Sequence, residues 1–152
     1  PFNSFLIMQG LETLALRMQR HCENALKVAH FLQAHPQVAW VKYAGLPDHP
    51  EHALAQQYCS GQPAGILSFG IVGGQPAGAR FIDALQLVVR LVNIGDAKSL
   101  ACHPASTTHR QLNDEELEKA GVPRDMVRLS IGIEHIDDIL ADLNQALLAA
   151  KA

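Results

Sequence analysis

The chain has 152 residues, 48% hydrophobic and 18% charged, which is enough apolar material for one domain with a real core and too much for a disordered segment. Twelve Lys and Arg against fifteen Asp and Glu leave a net charge of −3 with no run of like charge, which argues against a nucleic-acid surface or a polybasic membrane patch. No apolar stretch approaches the roughly 18 residues of a membrane span, no signal-peptide pattern opens the chain, and Cys22, Cys59 and Cys102 are too scattered for a disulfide framework, so a cytoplasmic protein with reduced thiols is expected.

Pro1-Phe2-Asn3-Ser4 leads straight into a helical pattern, as expected of a chain cut from something longer. Over residues 5–35, Leu11, Leu14, Met18, Ala25, Val28 and Leu32 recur at three- and four-residue steps, with Arg17, Arg20, Glu23 and Lys27 on the other face, and this spacing predicts one long amphipathic helix stopped by Pro36. Residues 38–43 are rich in strand formers and end at the turn signal Gly45-Leu46-Pro47. Asp48 is placed to cap a second helix through Cys59, which Gly61-Gln62-Pro63 breaks. Residues 65–72 read as a buried strand, and Gly73-Gly74-Gln75-Pro76 opens a third helix through Val89, with Pro76 tolerated in its first turn.

Residues 91–94 and 99–102 read as two short strands around Gly95, followed by an irregular polar loop over residues 103–111. Asn113 with Glu116 three residues later is a capping-box pattern for a short surface helix that Gly121 and Pro123 end. In residues 126–133, Val127, Leu129 and Ile131 alternate with Arg128 and Ser130, which predicts a strand with one face on the core and Arg128 and Ser130 on the other. Ile136, Ile139, Leu140, Leu143 and Leu147 mark a closing helix whose first turn carries Asp137 and Asp138. Four or five strands with helices between them predict an α/β or α+β sandwich, one small sheet with helices packed mainly on one face.

Arg128 is the side chain with the most chemical promise, because a guanidinium on a strand offers a planar fork of donors to a carboxylate. A surface or structural arginine is the alternative reading. The loop His103-Pro104-Ala105-Ser106-Thr107-Thr108-His109 is dense in hydrogen-bonding groups and suits either a site lining or local bonding of its hydroxyls to their own backbone. His49, His52 and Cys59, or Cys102, His103 and His109, lack a zinc spacing, and adjacent Cys102 and His103 would point to opposite sides of a strand. The glycine pairs lack the pattern of a phosphate-cradling loop, and no Gly-x-Ser-x-Gly elbow is present.

Four segments together carry a resemblance: Gly10-Leu11-Glu12-Thr13-Leu14 with Arg17 and His21; residues 93–100, Asn-Ile-Gly-Asp-Ala-Lys-Ser-Leu; the 103–109 loop; and residues 127–134, Val-Arg-Leu-Ser-Ile-Gly-Ile-Glu. In this order they resemble the C-terminal third of the Cys/Met-metabolism pyridoxal-phosphate enzymes, which include cystathionine γ-synthase, cystathionine lyases, methionine γ-lyase and the sulfhydrylases. Pro1-Phe2-Asn3-Ser4-Phe5 and the Asn93-Ile94-Gly95-Asp96 form of the second segment are most similar to the O-acetylhomoserine sulfhydrylase branch, where the lyases more often have Ser-Leu-Gly.

The resemblance implies that residues 1–152 are the small C-terminal domain of a fold-type I transferase, with a small, mainly antiparallel sheet. It implies pyridoxal phosphate on a lysine that is none of Lys27, Lys42, Lys98, Lys119 and Lys151. It further implies O-acetyl-L-homoserine with sulfide or methanethiol as substrates, and a homo-oligomer, typically a tetramer. Arg128 matches the family's arginine for the substrate α-carboxylate, Asn93 matches a position that helps hold the same group, and Ser106, Thr107 and Thr108 match the mouth of the site. By the same resemblance the chain alone is expected to be inactive. A γ-lyase or a cystathionine γ-synthase of the same family, or a free-standing amino-acid-binding module that uses Arg128 as a carboxylate receptor, are the alternatives.

Overall fold

Val127, Leu129 and Ile131 are fully buried and Arg128 between them is not, so period-two alternation does place a strand here with one face on the core. In the computed structural model, which describes residues 1–151, that strand is β5 (Met126–Ser130). It is preceded by α1 (Phe2–Glu12), α2 (Leu14–Ala34), β1 (Val38–Lys42), α3 (His52–Cys59), β2 (Ile66–Ile71), α4 (Gly74–Ala84), β3 (Val89–Arg90), β4 (Leu100–Cys102), a 3₁₀ turn (Pro104–Ser106) and α5 (Asp114–Lys119), and is followed by α6 (Ile136–Ala150).

The strands form one sheet in the order β1-β2-β5-β4-β3, antiparallel except for the β3/β4 pair. Leu67 opposes Leu129 and Phe69 opposes Val127 on one face, where α2 brings Ala25, Val28 and Leu32, α4 brings Ala77 and Phe81, and α6 brings Ile139, Leu143 and Leu147. Each such large side chain contributes about 1.5–3 kcal/mol on burial. Phe69 and Phe81 meet edge to face with centroids 5.6 Å apart. These helices share the core on that face, and the sheet is mainly antiparallel, as expected.

The helix expected over residues 5–35 is two helices, broken at Thr13 (φ −109°, ψ 7°). None of α1 is buried, so no core contact holds it in line with α2, and Phe5, Leu6, Ile7 and Met8 in succession give it no single apolar stripe. Arg17 bonds the Thr13 hydroxyl and, at 2.9 Å, the Gly10 carbonyl at the break. Of the six apolar positions that suggested the long helix, Ala25, Val28 and Leu32 alone are buried.

Asp48 caps no helix. Pro50 disfavours helical backbone in the residue before it, so α3 starts only at His52, and the Asp48 carboxylate instead accepts from Gln33 Nε2 at 3.1 Å. The Asn113–Glu116 capping box is present in both halves, at 3.0 and 2.9 Å.

The third helix ends at Ala84 and not at Val89 for a tertiary reason. Asp142 of α6 accepts the backbone N–H groups of Gln86, Leu87 and Val88 at 2.9, 2.9 and 2.8 Å, which takes these amides out of any helix. Pairing with β4 therefore begins directly after this turn, at Val89 and Arg90, and residues 91–94 form an exposed loop where a strand was expected. Burial pushes the Asp142 carboxyl up, but the bonds from Val88, Gln86, Gln145 and Leu87 together outweigh it and hold the group below its usual value.

A carboxyl depressed by folding stabilises above its unfolded value of about 3.9 and loses that contribution as pH falls through the folded value. Asp142→Asn is expected to lower stability by about 2–3 kcal/mol at neutral pH in urea unfolding, with the gap to the parent chain narrowing once pH drops below ~4.

Candidate functional site

Arg128 projects from the middle of the central strand on the face away from the helices. Its register partners are Ser68 on β2 and Cys102 on β4, and Ser68 is in turn opposite Lys42 on β1, so one row crosses four strands. Among the described residues the ion pairs are Arg20–Glu23, Arg90–Asp83, Lys98–Asp96, Arg124–Asp114 and His135–Asp137, and no carboxylate pairs with Arg128. Burial pushes the Cys102 thiol up, against a smaller opposing pull from the Arg128 charge, so Cys102 stays neutral and does not compete as an anion for the guanidinium.

The 91–98 loop comes to the same face. The Gly95 N–H donates to Ser130 Oγ at 3.3 Å, two residues along the strand from Arg128, and this cover leaves Ser130 buried although its alternation predicted only that it would face away from the core. Asn93 is exposed in this loop.

A polar network that the sequence reading did not resolve fastens the loop. Glu134 Oε1 accepts from the Ser99 N–H at 2.5 Å and Oε2 from the Ser99 hydroxyl at 2.9 Å, while Ser99 Oγ accepts from the Gly132 N–H at 2.8 Å. The Ile133 N–H reaches the Ala97 carbonyl at 2.9 Å. From α2, Asn24 donates to the Gly132 and Glu134 carbonyls, each at 3.0 Å, and His21 Nδ1 lies 2.6 Å from the Ile131 carbonyl. Gly132 is required by close approach. A Cβ there would overlap the Glu134 carboxylate and the Ala97 carbonyl and stand 2.6 Å from the carbonyl carbon of Lys98. Ser99, Glu134 and His21 all lie in the segments that carried the resemblance, but partners 35 and 110 residues apart leave no local pattern to read.

The hydroxyls of the 103–109 loop bond within it. Ser106 Oγ lies 2.8 Å from His103 Nδ1, Thr107 donates to the His103 carbonyl at 2.8 Å, and the exposed Thr108 is engaged with His109 at 2.8 Å. Arg128, Ser130 and the Asn93 loop are thus brought onto one face, whereas the bonding of Thr108 is local. A largely apolar cleft of about 470 Å³ opens beside Cys102, bordered by Ile82, Leu91, Val92, His103 and Thr107.

His103 Nε2 lies 2.8 Å from the Arg124 carbonyl, which can only accept, so Nε2 carries the proton and Nδ1 accepts from Ser106. Burial pushes the His103 imidazole down, against smaller contributions from that carbonyl and from Asp125. Among the described residues no three His, Cys, Asp or Glu side chains gather as a metal site, and no helix is long and apolar enough to cross a membrane.

A lysine that forms a Schiff base needs its ammonium desolvated or crowded by positive charge. Lys27, Lys42, Lys98, Lys119 and Lys151 are all exposed; Lys98 pairs with Asp96 at 3.1 Å, and Lys42 lies over the Trp40 ring at 5.3 Å. None of the five fits an attachment point for pyridoxal phosphate.

The sequence profile of the Cys/Met metabolism PLP-dependent enzymes matches residues 1–148. The chain is 53% identical over 147 residues to O-acetyl-L-homoserine sulfhydrylase 1 of Thermus thermophilus, covering 97% of this chain and 35% of that protein. It is 50% identical over 150 residues to L-methionine gamma-lyase of Pseudomonas putida, covering 99% of this chain and 37% of that one. A solved structure from Campylobacter jejuni, described as an O-acetylhomoserine (thiol)-lyase with a pyridoxyl-lysine monophosphate, superposes with a TM-score of 0.90 at 46% identity, over 97% of this chain and 35% of the other. The chain spans about a third of the length of the curated relatives it matches.

A histidine whose folded value lies below its unfolded value of about 6.5 favours the unfolded chain when protonated, so its contribution to stability falls as pH drops through ~6.5 toward the folded value. An NMR titration is expected to place the His103 midpoint below ~6.5, with the proton on Nε2 in the neutral form. A Cβ on Gly78 would stand 2.7 Å from His103 Cδ2, and Gly78→Ala is expected to cost about 1–3 kcal/mol in thermal or urea unfolding despite the better helix propensity of alanine.

Proposed function

The chain belongs to the Cys/Met metabolism PLP-dependent enzyme family, and on that premise we propose that it is the C-terminal, substrate-carboxylate-binding domain of an O-acetylhomoserine sulfhydrylase. The observation that carries this reading is Arg128: an arginine whose backbone is fixed in mid-strand on the face of the sheet away from the helices, with no carboxylate paired to its guanidinium among the described residues. Two parallel N–H···O bonds from it hold both oxygens of an amino-acid α-carboxylate. A carboxylate held at both oxygens cannot turn freely, so the amino group and the γ-carbon substituent are presented in one orientation. To Asn93, carried by the loop that Ser130 and Ser99 hold to the same face, we assign a further contact with this carboxylate, and to Thr108, as the family resemblance implies, a position at the mouth of the site.

For the whole protein the reaction assigned is γ-replacement, in which acetate leaves O-acetyl-L-homoserine and sulfide takes its place to give homocysteine, or methanethiol to give methionine. Pyridoxal phosphate supplies the electron sink for this class of reaction. Since no lysine here fits its attachment, its site is assigned to a part of the protein outside these residues, and the 152-residue chain alone is inactive. We assign the whole protein to the cytoplasm as a homotetramer. The γ-lyase of similar identity favours a second reading of the same domain, in which the γ-substituent is released without replacement. Thiol release from L-methionine without O-acetyl-L-homoserine separates the two.

In the whole enzyme Arg128→Ala is expected to lower kcat/KM for O-acetyl-L-homoserine by about 10²-fold or more, and loss of less than about threefold would sink the carboxylate assignment. The 152-residue chain mixed with pyridoxal phosphate and reduced with borohydride is expected to carry no stoichiometric adduct on any one lysine by peptide mass mapping. With Phe2, Phe5, Ile7 and Leu11 exposed along α1, the same chain is expected to self-associate in sedimentation velocity.

A further inference from the structure

Arg128 is set by its own strand, but the loop that faces it is not. Residues 91–98 make no strand pairing beyond the Leu91 N–H bond to the Ala101 carbonyl, and their place over the end of β5 is determined by side chains at their C-terminal end. Ser99 is fully buried; its carbonyl accepts from the Val89 N–H at 2.9 Å, and its amide and side chain both turn to one place. Its amide and hydroxyl both donate to Glu134, and its oxygen accepts from Gly132. Glu134 is anchored in turn, because Asn24 holds the carbonyls on either side of the turn at Gly132 and Glu134. Gly132 has no Cβ, which lets the Ala97 and Lys98 backbone lie against it. In the middle of the loop the Gly95 N–H reaches Ser130. The loop that carries Asn93 is therefore clamped at 95 and at 97–99 onto the residues that directly follow Arg128 in the chain.

We propose that Ser99 and Glu134 are positioning residues for the substrate carboxylate, a latch that sets the distance between the Asn93 loop and Arg128 while touching no ligand itself. This rests on the reading of Arg128 as the carboxylate receptor. A latch of this kind acts on the carboxylate and not on the rest of the substrate. Loosening it widens the gap across which two groups converge on one anion and leaves the binding of an amine or an alkyl chain unaffected. A merely structural polar network would weaken all ligands alike or none.

The test uses the whole, cofactor-loaded enzyme with two unreactive probes, L-norleucine and pentylamine, which differ by the carboxylate, and reads their inhibition constants against O-acetyl-L-homoserine. Ser99→Ala is expected to weaken L-norleucine about tenfold and pentylamine less than twofold, with KM for O-acetyl-L-homoserine raised and kcat changed less than KM. Glu134→Gln, which keeps one acceptor for Ser99, is expected to give a smaller shift of the same selectivity, and it serves where Ser99→Ala fails to fold. Equal weakening of both probes, or of neither, overturns the latch. Arg128→Lys separates the two levels. If it weakens L-norleucine selectively while the latch variants do not, the carboxylate receptor stands and the latch falls; if it leaves the discrimination intact, the receptor reading fails and the latch loses its purpose with it.

Discussion

Strand β5 is hydrogen-bonded on both sides, to β2 and to β4, and the rest of the domain depends on that double pairing. With both edges satisfied the strand cannot shift register, and a one-residue slip would exchange Val127, Leu129 and Ile131 for Arg128 and Ser130 against α2, α4 and α6. Burying a guanidinium in that core without a partner would cost far more than any local gain. The apolar packing of one face thus dictates that the opposite face presents Arg128. The facing of Arg128 is a consequence of the core and needs no separate device to aim it.

Two interactions of a different kind fix what surrounds the strand. Asp142 gathers three successive amides at the end of α4, and Glu134 gathers the Ser99 amide and hydroxyl beyond β5. In each, an acidic side chain from the C-terminal part of the chain terminates or clamps backbone from an earlier segment, and a bond from a neutral donor to a charged acceptor contributes about 1.5–3 kcal/mol net. The first sets where β3 begins; the second sets where the Asn93 loop lies. His103, held neutral between Ser106 and Arg124, links β4 to the chain before β5 in the same manner without charge.

What the sequence made legible follows from the range of the interactions involved. The β5 strand, the capping box of Asn113 and Glu116, and α6 with its acidic first turn are specified by neighbours within a few positions, and they were found where the local pattern put them, except that β5 ends at Ser130 and not at Ile133, where the chain turns toward the Ser99 contact. The end of α4 and the place of β3 were not, because Asp142 lies more than fifty residues from the amides it holds. The break at Thr13 escaped periodicity because exposed apolar residues on α1 carry the same letters as buried ones. For the site, the alternation around Arg128 showed its face, and the resemblance of four ordered segments supplied its expected partner. The Ser99–Glu134 contact joined two of those segments, a relation that neither contained alone.

Arg128 sits on the central strand, with a neutral neighbour in register on each side. An arginine on a loop or a helix end would keep much of its backbone freedom until a ligand arrived, and would lose it then. Here the backbone half of that freedom disappears when the sheet forms, so the disorder given up on binding is limited to the outer torsions of one side chain. On the proposed reading of Arg128 as a carboxylate receptor, this arrangement trades adaptability for a smaller entropic loss at each encounter. It would suit an anion of fixed, planar shape that every substrate presents alike, and leave discrimination among substrates to whatever contacts their variable ends.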